Sequence, residues 1–65
     1  MDILKSALEF HRPVTIIYMD KDKKITRRNI QVLGIKGEKV EAFCYLRRQK
    51  RYFKRENILA AQYLH

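Results

Sequence analysis

Residues 39–54, KVEAFCYLRRQKRYFK, decide the fold because they contain two consecutive runs of strand-like alternation. Residues 39–48 are the clearest predicted strand, and their two faces divide as Val40, Ala42, Cys44 and Leu46 against Glu41, Phe43, Tyr45 and Arg47. After a tight turn near Gln49, residues 50–54 form the next strand, in which Arg51 and Phe53 share a face. This pattern predicts two adjacent antiparallel strands in the C-terminal half of the chain.

The segment before these strands predicts a short helix over residues 2–11, DILKSALEFH. Its apolar stripe has helical spacing and is formed by Ile3, Leu4, Ala7, Leu8, Phe10 and His11. Asp2 is a suitable N-cap, and Pro13 ends the helix because the residue before a proline avoids helical dihedrals. A helix of this length is marginal in isolation, so we expect it to pack on the strands.

Two further strands are predicted between the helix and residue 39. Residues 14–19, VTIIYM, are rich in β-branched and aromatic side chains, and residues 25–35, ITRRNIQVLGI, alternate with Arg28, Ile30 and Val32 on one face. Gly34 suggests a bend or bulge in the second of these runs. Residues 58–64, ILAAQYL, fit either a fifth strand or a short helix.

Sixty-five residues, of which 46% are hydrophobic, predict one domain over residues 1–65 with strands from about 14 to 64. One short N-terminal helix followed by four or five short strands predicts a mainly β fold. A small antiparallel barrel of the SH3-like or Sm-like type fits this order, because closing the sheet removes exposed edges. The helix would cover one open end.

Composition excludes several classes of function. A single cysteine rules out an internal disulfide, and neither histidine has a cysteine partner at zinc-ligand spacing, so we expect no metal or other cofactor. Ser6 is the only serine and has no base placed to activate it, and the carboxylates are scattered, so we expect no enzyme. No export signal or membrane-length apolar run is present, which indicates the cytoplasm and no membrane partner.

The formal charge of +8 comes from fifteen Lys and Arg against seven Asp and Glu. Such a charge on a small domain favours polyanionic partners, although many small basic proteins have no nucleic-acid role. Arg48, Lys50, Lys54 and Arg55 fit a solvated basic face, which is the common outcome for such a run.

At residues 42–58, AFCYLRRQKRYFKRENI, the sequence resembles the WYL domain, a bacterial module with an SH3/Sm-like barrel. The family's Ala-Tyr-Cys-x-Leu-Arg strand, its following Arg-x-Phe and its later isoleucine are matched by Ala42, Phe43, Cys44, Leu46, Arg47, Arg51, Phe53 and Ile58. Upstream, the tyrosine of the family's first strand resembles Tyr18, and the arginine of its second resembles Arg28. The naming Trp-Tyr-Leu trio is replaced by Glu38, Lys39 and Val40.

The resemblance implies a role and a set of residues. WYL modules occur mostly in transcriptional regulators, fused to a helix-turn-helix domain, and are thought to sense ligands such as nucleic-acid fragments through arginines and aromatic side chains. A single short helix cannot form a helix-turn-helix, so we expect this chain to act without that DNA-reading part. The residues carried over to the ligand pocket are Tyr18, Arg28, Arg47 and Arg51.

The residues themselves give independent support for an anion site. Arg28 and Arg51 each share a predicted strand face with apolar residues, where an arginine is costly unless it is paired or directed at an anion. Guanidinium groups bind phosphate with two hydrogen bonds, which favours a phosphate-bearing ligand. The alternative is that these arginines extend to solvent and pair with Glu41 or Glu56.

Aromatic residues lie among the basic ones at Phe43, Tyr45, Tyr52 and Phe53. This combination is typical of single-stranded nucleic-acid platforms, where rings stack on bases and cations hold the backbone. Core packing is the alternative, and it suits Phe53 best, while Tyr45 is a candidate for stacking or hydrogen bonding to the ligand. Cys44 alternates with Ala42 and Leu46, which predicts a small core residue.

The first hypothesis is therefore a small regulatory or sensor module that binds an anionic ligand, either single-stranded nucleic acid or a phosphate-bearing nucleotide fragment. A second hypothesis is a protein–protein interaction module that uses a barrel edge, for example to form a homodimer. A third, an Sm-like RNA chaperone, would require a ring of subunits.

Overall fold

The fold consists of one helix, α1 (Ile3–Phe10), followed by five strands, in a computed structural model that describes residues 2–64. The strands are β1 (Pro13–Met19), β2 (Ile25–Lys36), β3 (Lys39–Cys44), β4 (Gln49–Lys54) and β5 (Ile58–Tyr63), and a 3-10 turn (Arg55–Asn57) joins β4 to β5. The strands pair antiparallel in the order β4-β3-β2-β1-β5. The predicted mainly β fold with a short N-terminal helix is confirmed.

Helix α1 begins at the predicted N-cap. Oδ1 of Asp2 accepts hydrogen bonds from the backbone N–H groups of Leu4, at 3.1 Å, and Lys5, at 3.4 Å. Leu4 and Ala7 are buried, and the helix packs against β1, β2 and β5. Phe10 was predicted to widen the apolar stripe but is 65% exposed, because the chain turns away before that face can reach the sheet. Within residues 2–64, no helix has the length and apolar character needed to cross a bilayer.

The helix ends at His11, which adopts a left-handed conformation with φ of 54°. The N–H of Arg12 donates to the carbonyl of Ala7 at 3.0 Å, and the N–H of His11 donates to Leu8 at 3.4 Å. This is the Schellman arrangement, in which glycine is the usual residue at the left-handed position. His11 therefore ends the helix and is exposed. The sequence pattern had placed it in the apolar stripe, and that prediction is wrong.

We expect His11→Gly to stabilise the protein by about 0.5–1 kcal/mol, because glycine removes the left-handed strain but adds freedom to the unfolded chain. Thermal unfolding should show a midpoint higher by about 2–8 °C for a domain of this size. His11→Ala keeps the strain and serves as the control. A midpoint for His11→Gly equal to that of His11→Ala would contradict the prediction.

The sheet curls strongly, as the short distance between the rings of Tyr18 on β1 and Phe53 on β4 shows. In a flat sheet these strands would lie about 14 Å apart, since three strand spacings separate them. Their ring centroids are 4.9 Å apart in an edge-to-face arrangement. The inward faces therefore meet in a barrel-like core, which contains Val14, Ile16, Ile30, Val32, Val40, Ala42 and Phe53 together with the two buried helix residues.

Strand β3 is shorter than predicted. It ends at Cys44, and residues 45–48 form the turn to β4, whereas the sequence placed the turn near Gln49. Leu46, predicted to face the core with Val40 and Ala42, is 80% exposed because it lies in this turn. Burial of Val40, Ala42 and Cys44 agrees with the predicted face up to the end of the strand.

Two further local predictions concern Gly34 in β2 and residues 58–64. The predicted irregularity near Gly34 is present as a register shift between Val32 and Gly34 in the pairing of β2 with β3. Residues 58–64, left open between strand and helix, form strand β5 over Ile58–Tyr63 and pair with β1. Tertiary pairing with β1 therefore overrides the weak strand propensity of Ala60 and Ala61.

Candidate functional site

A pocket of about 440 Å³ opens between the β1–β2 turn and the region around strand β4. It is lined by Tyr18, Asp20, Lys21, Asp22, Arg28, Arg47, Arg51, Tyr52 and Phe53. Four of the five predicted site residues therefore line one pocket: Tyr18, Arg28, Arg47 and Arg51. Their role in binding stays a prediction, but their convergence is a property of the fold.

Arg28 reaches the pocket from the inward face of β2. It lies opposite Ile16 in the β1–β2 ladder and two residues before the buried Ile30, so its stem is half-buried. Its Nε donates a 3.4 Å hydrogen bond to Oγ1 of Thr26, and its guanidinium also interacts with the thiol of Cys44. The remaining guanidinium N–H groups are available to a ligand. Alternation along β2 is thus what directs this arginine inward.

Arg51 and Arg47 approach the pocket from β4 and from the preceding turn. Arg51 faces inward opposite Ala42 and is half-buried, whereas Arg47 is exposed within the turn. The turn is held by the N–H of Arg48, which donates to the carbonyl of Cys44 at 2.7 Å, and by the N–H of Tyr45, which donates to Asn29 at 3.2 Å. These backbone hydrogen bonds fix the position of the Arg47 backbone.

Cys44 also contributes to this turn through its side chain. Burial would raise the pKa of the Cys44 thiol, but hydrogen bonds to sulfur from the backbone N–H groups of Arg47 and Leu46, together with Arg28, lower that pKa overall. The thiol is fully buried, as predicted for a core residue. The sequence did not indicate that its sulfur would link the turn carrying Arg47 to the guanidinium of Arg28.

Tyr18 and Phe53 form the inner wall of the pocket. Phe53 is only 2% exposed, which confirms its predicted place in the core, and its ring packs edge-to-face against Tyr18. The hydroxyl of Tyr18 accepts a 3.4 Å hydrogen bond from the N–H of Lys54. Because a tyrosine hydroxyl can donate and accept at once, its proton remains available to an anionic ligand.

The β1–β2 turn adds two carboxylates that sequence reasoning did not place at the site. Oδ1 of Asp20 accepts hydrogen bonds from the N–H groups of Asp22 and Lys24, both at 2.9 Å, which fixes that turn beside the pocket. The signal available in the sequence was the position of residues 20–24, DKDKK, immediately after the strand that carries Tyr18. Asp20 and Asp22 offset part of the positive charge but leave the pocket with more cations than carboxylates.

The alternative that the arginines pair with carboxylates finds no support among residues 2–64. Glu41 instead forms an ion pair with Lys50 at 3.1 Å, and the second ion pair there joins Arg55 to Asp2. Neither involves Arg28, Arg47 or Arg51. The three guanidinium groups therefore line the pocket without a carboxylate at ion-pairing distance in the part of the chain that is described.

Tyr45, the fifth predicted site residue, does not reach the pocket. It lies on the outer side of the sheet, where its ring packs edge-to-face on Phe43 with centroids 5.7 Å apart and its hydroxyl donates to Oε1 of Gln31 at 3.3 Å. The pocket instead includes Tyr52. Tyr45 is separated from the arginine set because it shares the outward face of Phe43.

Comparison with known proteins rests on structure. No family model matches the sequence, and no curated protein matches it. Proteasome accessory factor B/C (PafBC) of Arthrobacter aurescens superposes with a TM-score of 0.82 over 94% of this chain at 17% sequence identity. The fold is that of a WYL-like domain.

The WYL-like domain corresponds to only 10% of the matched PafBC chain. The structural match confirms the fold that the sequence resemblance implied, and it includes nearly every element described above.

Proposed function

We propose that this WYL-like domain is a small regulatory or sensor module whose pocket binds single-stranded nucleic acid or a nucleotide fragment. The observation that supports the proposal is the convergence of Arg28, Arg47 and Arg51 in one pocket, without carboxylate partners among the described residues. The module acts by binding and not by catalysis, and we place it in the bacterial cytoplasm. The fold shared with the regulator PafBC supports the regulatory part of the proposal.

The chemistry of the pocket suits a phosphate group attached to an aromatic base. Guanidinium groups from β2, the turn and β4 approach from different sides and offer several charge-assisted hydrogen bonds. The Tyr18 hydroxyl adds a neutral donor, and Tyr52 at the rim offers a ring face for stacking. A volume of about 440 Å³ lies in the lower part of the usual range for small-molecule sites, so it suits a nucleotide or a strand end better than a duplex.

The decisive experiment is a chemical-shift titration with short single-stranded oligonucleotides and with free nucleotides, each at two salt concentrations. We expect binding that weakens steeply as salt rises, since phosphate contacts release counterions. Amide shifts should concentrate in residues 18–22, 28, 47 and 51–53, which surround the pocket.

The Arg47→Ala/Arg51→Ala double variant should abolish this binding and keep the native spectrum elsewhere. Arg27→Ala/Arg48→Ala is the matched control, because it removes the same charge from two exposed arginines outside the pocket. Unchanged binding in the pocket variant, or equal losses in both variants, would sink the proposed site.

A second candidate function, docking to another protein or a second copy, is favoured by strand β5. Within residues 2–64 this strand pairs only with β1, and its residues Ile58–Tyr63 carry no charge. An uncharged edge strand is a template for pairing with another chain. A solution mass that rises with concentration, together with no oligonucleotide binding, would favour this function over the first.

A further inference from the structure

Three lysines form one row across the outer face of strands β2, β3 and β4. Lys36 lies directly opposite Lys39, and Lys39 lies directly opposite Lys54, so the row follows from the register of both ladders. All three side chains are exposed. Like charges placed directly opposite in a sheet are destabilising, so this lysine row costs stability and is unexplained by the fold.

The carboxylate of β3 on this face is already engaged. Glu41, two residues beyond Lys39 along β3, forms a 3.1 Å ion pair with Lys50. That hydrogen bond, helped by the charge of Lys50 and by the charge of Lys36, holds the pKa of Glu41 below its usual value. Glu41 is therefore an anion at neutral pH, and the face still carries more lysines than carboxylates.

Aromatic side chains continue the same face beyond the lysine row. Tyr52 lies opposite Glu41 and donates to its carboxylate at 3.3 Å, while Phe43 lies opposite both Gln31 and Lys50. Tyr45 packs on Phe43 at the far end. Tyr45 is 42% exposed and Tyr52 is 57% exposed, so both rings present apolar surface to solvent.

The dimensions of this outer lysine–aromatic face suit an extended single strand of nucleic acid. From Lys39 to Cys44, the end of β3, the chain advances five residues, or about 17 Å at the rise of a β-strand. Across the three strands the face is about 10 Å wide, from two strand spacings. It lies on the side of the sheet opposite to Arg28 and Arg51 and shares only Tyr52 with the pocket lining, so its lysines and the pocket arginines would bind different phosphates.

We propose that the outer lysine–aromatic face is a second binding surface, which takes single-stranded nucleic acid independently of the arginine pocket. Lys36, Lys39 and Lys54 hold phosphates, and Tyr45 and Phe43 stack against bases. Single strands fit this surface because exposed rings can stack only on unpaired bases, and the lysines match a regularly charged backbone. The proposal goes beyond the pocket function, since it assigns a separate face and a longer ligand.

The test compares two triple variants in fluorescence anisotropy titrations with a labelled twelve-nucleotide oligothymidine. Lys36→Gln/Lys39→Gln/Lys54→Gln removes the row, and Lys5→Gln/Lys23→Gln/Lys24→Gln removes the same charge from exposed lysines elsewhere. We expect the row variant to lose about tenfold or more in affinity, and the control less than about threefold. The slope of log affinity against log salt should fall by about 2 in the row variant, at about 0.7 per lost phosphate contact.

Two further measurements separate the outer face from net charge and from misfolding. Tyr45→Ala should weaken binding of the oligothymidine but leave an abasic oligomer of equal length unaffected, because only the first has bases to stack. The row variant should unfold at the same temperature as the native chain or higher, since it removes like-charge repulsion. Its affinity for thymidine monophosphate, the probe for the pocket, should be unchanged.

Each other outcome overturns the outer-face proposal. Equal affinity losses in both triple variants would mean attraction by net charge alone. Equal weakening of the normal and abasic oligomers by Tyr45→Ala would exclude stacking. Self-association that the row variant abolishes, without oligonucleotide binding, would assign the face to a second copy of the chain. Loss of mononucleotide binding in Arg47→Ala/Arg51→Ala remains a separate result, so the pocket function stands or falls by itself.

Discussion

Replacing Arg28 with alanine is expected to lower the affinity for a nucleoside monophosphate by about 10- to 100-fold. Hydrogen bonds to a charged group contribute about 1.5–3 kcal/mol, and each 1.4 kcal/mol is a factor of ten. Arg28 is half-buried and lines the pocket, so its guanidinium is partly desolvated before a ligand arrives. Isothermal titration calorimetry with thymidine monophosphate measures the effect directly.

The neighbouring residue provides the matched control. Arg27 precedes Arg28 in β2 but lies on the opposite face, exposed and outside the pocket. Arg27→Ala removes the same charge and should change affinity by less than about threefold, as expected of a remote charge screened by salt. Arg28→Lys should recover only part of the affinity, because lysine keeps the charge but not the two-pronged geometry. Equal effects of Arg27→Ala and Arg28→Ala would refute a directed role for Arg28.

Replacing Phe53 with alanine is expected to destabilise the protein by about 3–5 kcal/mol, the range for removing a buried phenylalanine. Phe53 is 2% exposed and belongs to the core cluster. Total stability for a chain of this length is about 3–10 kcal/mol, so the variant would keep little of it or unfold. Urea denaturation followed by circular dichroism gives the free energy of unfolding.

Phe10→Ala is the control for this prediction, because Phe10 is 65% exposed at the end of α1. The same substitution there should cost less than about 1 kcal/mol, as is usual for surface positions. If Phe53→Ala and Phe10→Ala had similar denaturation midpoints, the curled sheet would not depend on the contact between Phe53 and Tyr18.

Alternation predicted most of the strands because it follows directly from burying one face. Arg28, Ile30 and Val32 share the inward face of β2, as the sequence indicated, and this face carries Arg28 into the pocket. Asp2 was recognisable as an N-cap because the residue type itself supplies the hydrogen bonds. Such features are local, so a single sequence is enough to predict them.

The turn after β3 was predicted too late in the sequence, because this turn contains none of the residue types that usually mark turns. Residues 45–48, YLRR, contain no Gly, Asn, Asp or Pro, and Arg48 adopts a positive φ of 53°. The carbonyls of Cys44 and Asn29 instead accept hydrogen bonds from the N–H groups of Arg48 and Tyr45. Asn29 is distant in sequence, so no turn signal was present in the segment itself.

The candidate site was predicted in part. The resemblance to WYL domains named Tyr18, Arg28, Arg47 and Arg51, which line one pocket. Tyr45, added because aromatic residues lie among the basic ones, does not line it. Tyr45 lies on the outer face with Phe43, as the alternation of residues 41, 43 and 45 indicates. Arg47, on the same predicted face, lines the pocket instead, because the chain leaves the strand at Cys44 and Arg47 lies in the turn. Whether side chains from β1, β2, the turn and β4 meet depends on how strongly the sheet curls, which local patterns do not determine.

The hydrogen bond from the backbone N–H of Lys54 to the Tyr18 hydroxyl connects the pocket to strand β4. Strand β4 is an edge of the sheet, and this bond at 3.4 Å fastens its end to β1 across the barrel opening. A hydroxyl that donates its proton to an anion becomes a better hydrogen-bond acceptor. A ligand phosphate that accepts a hydrogen bond from Tyr18 would therefore strengthen the bond from the Lys54 N–H to the Tyr18 hydroxyl. If the pocket binds a phosphate as proposed, occupancy would therefore stiffen this edge strand.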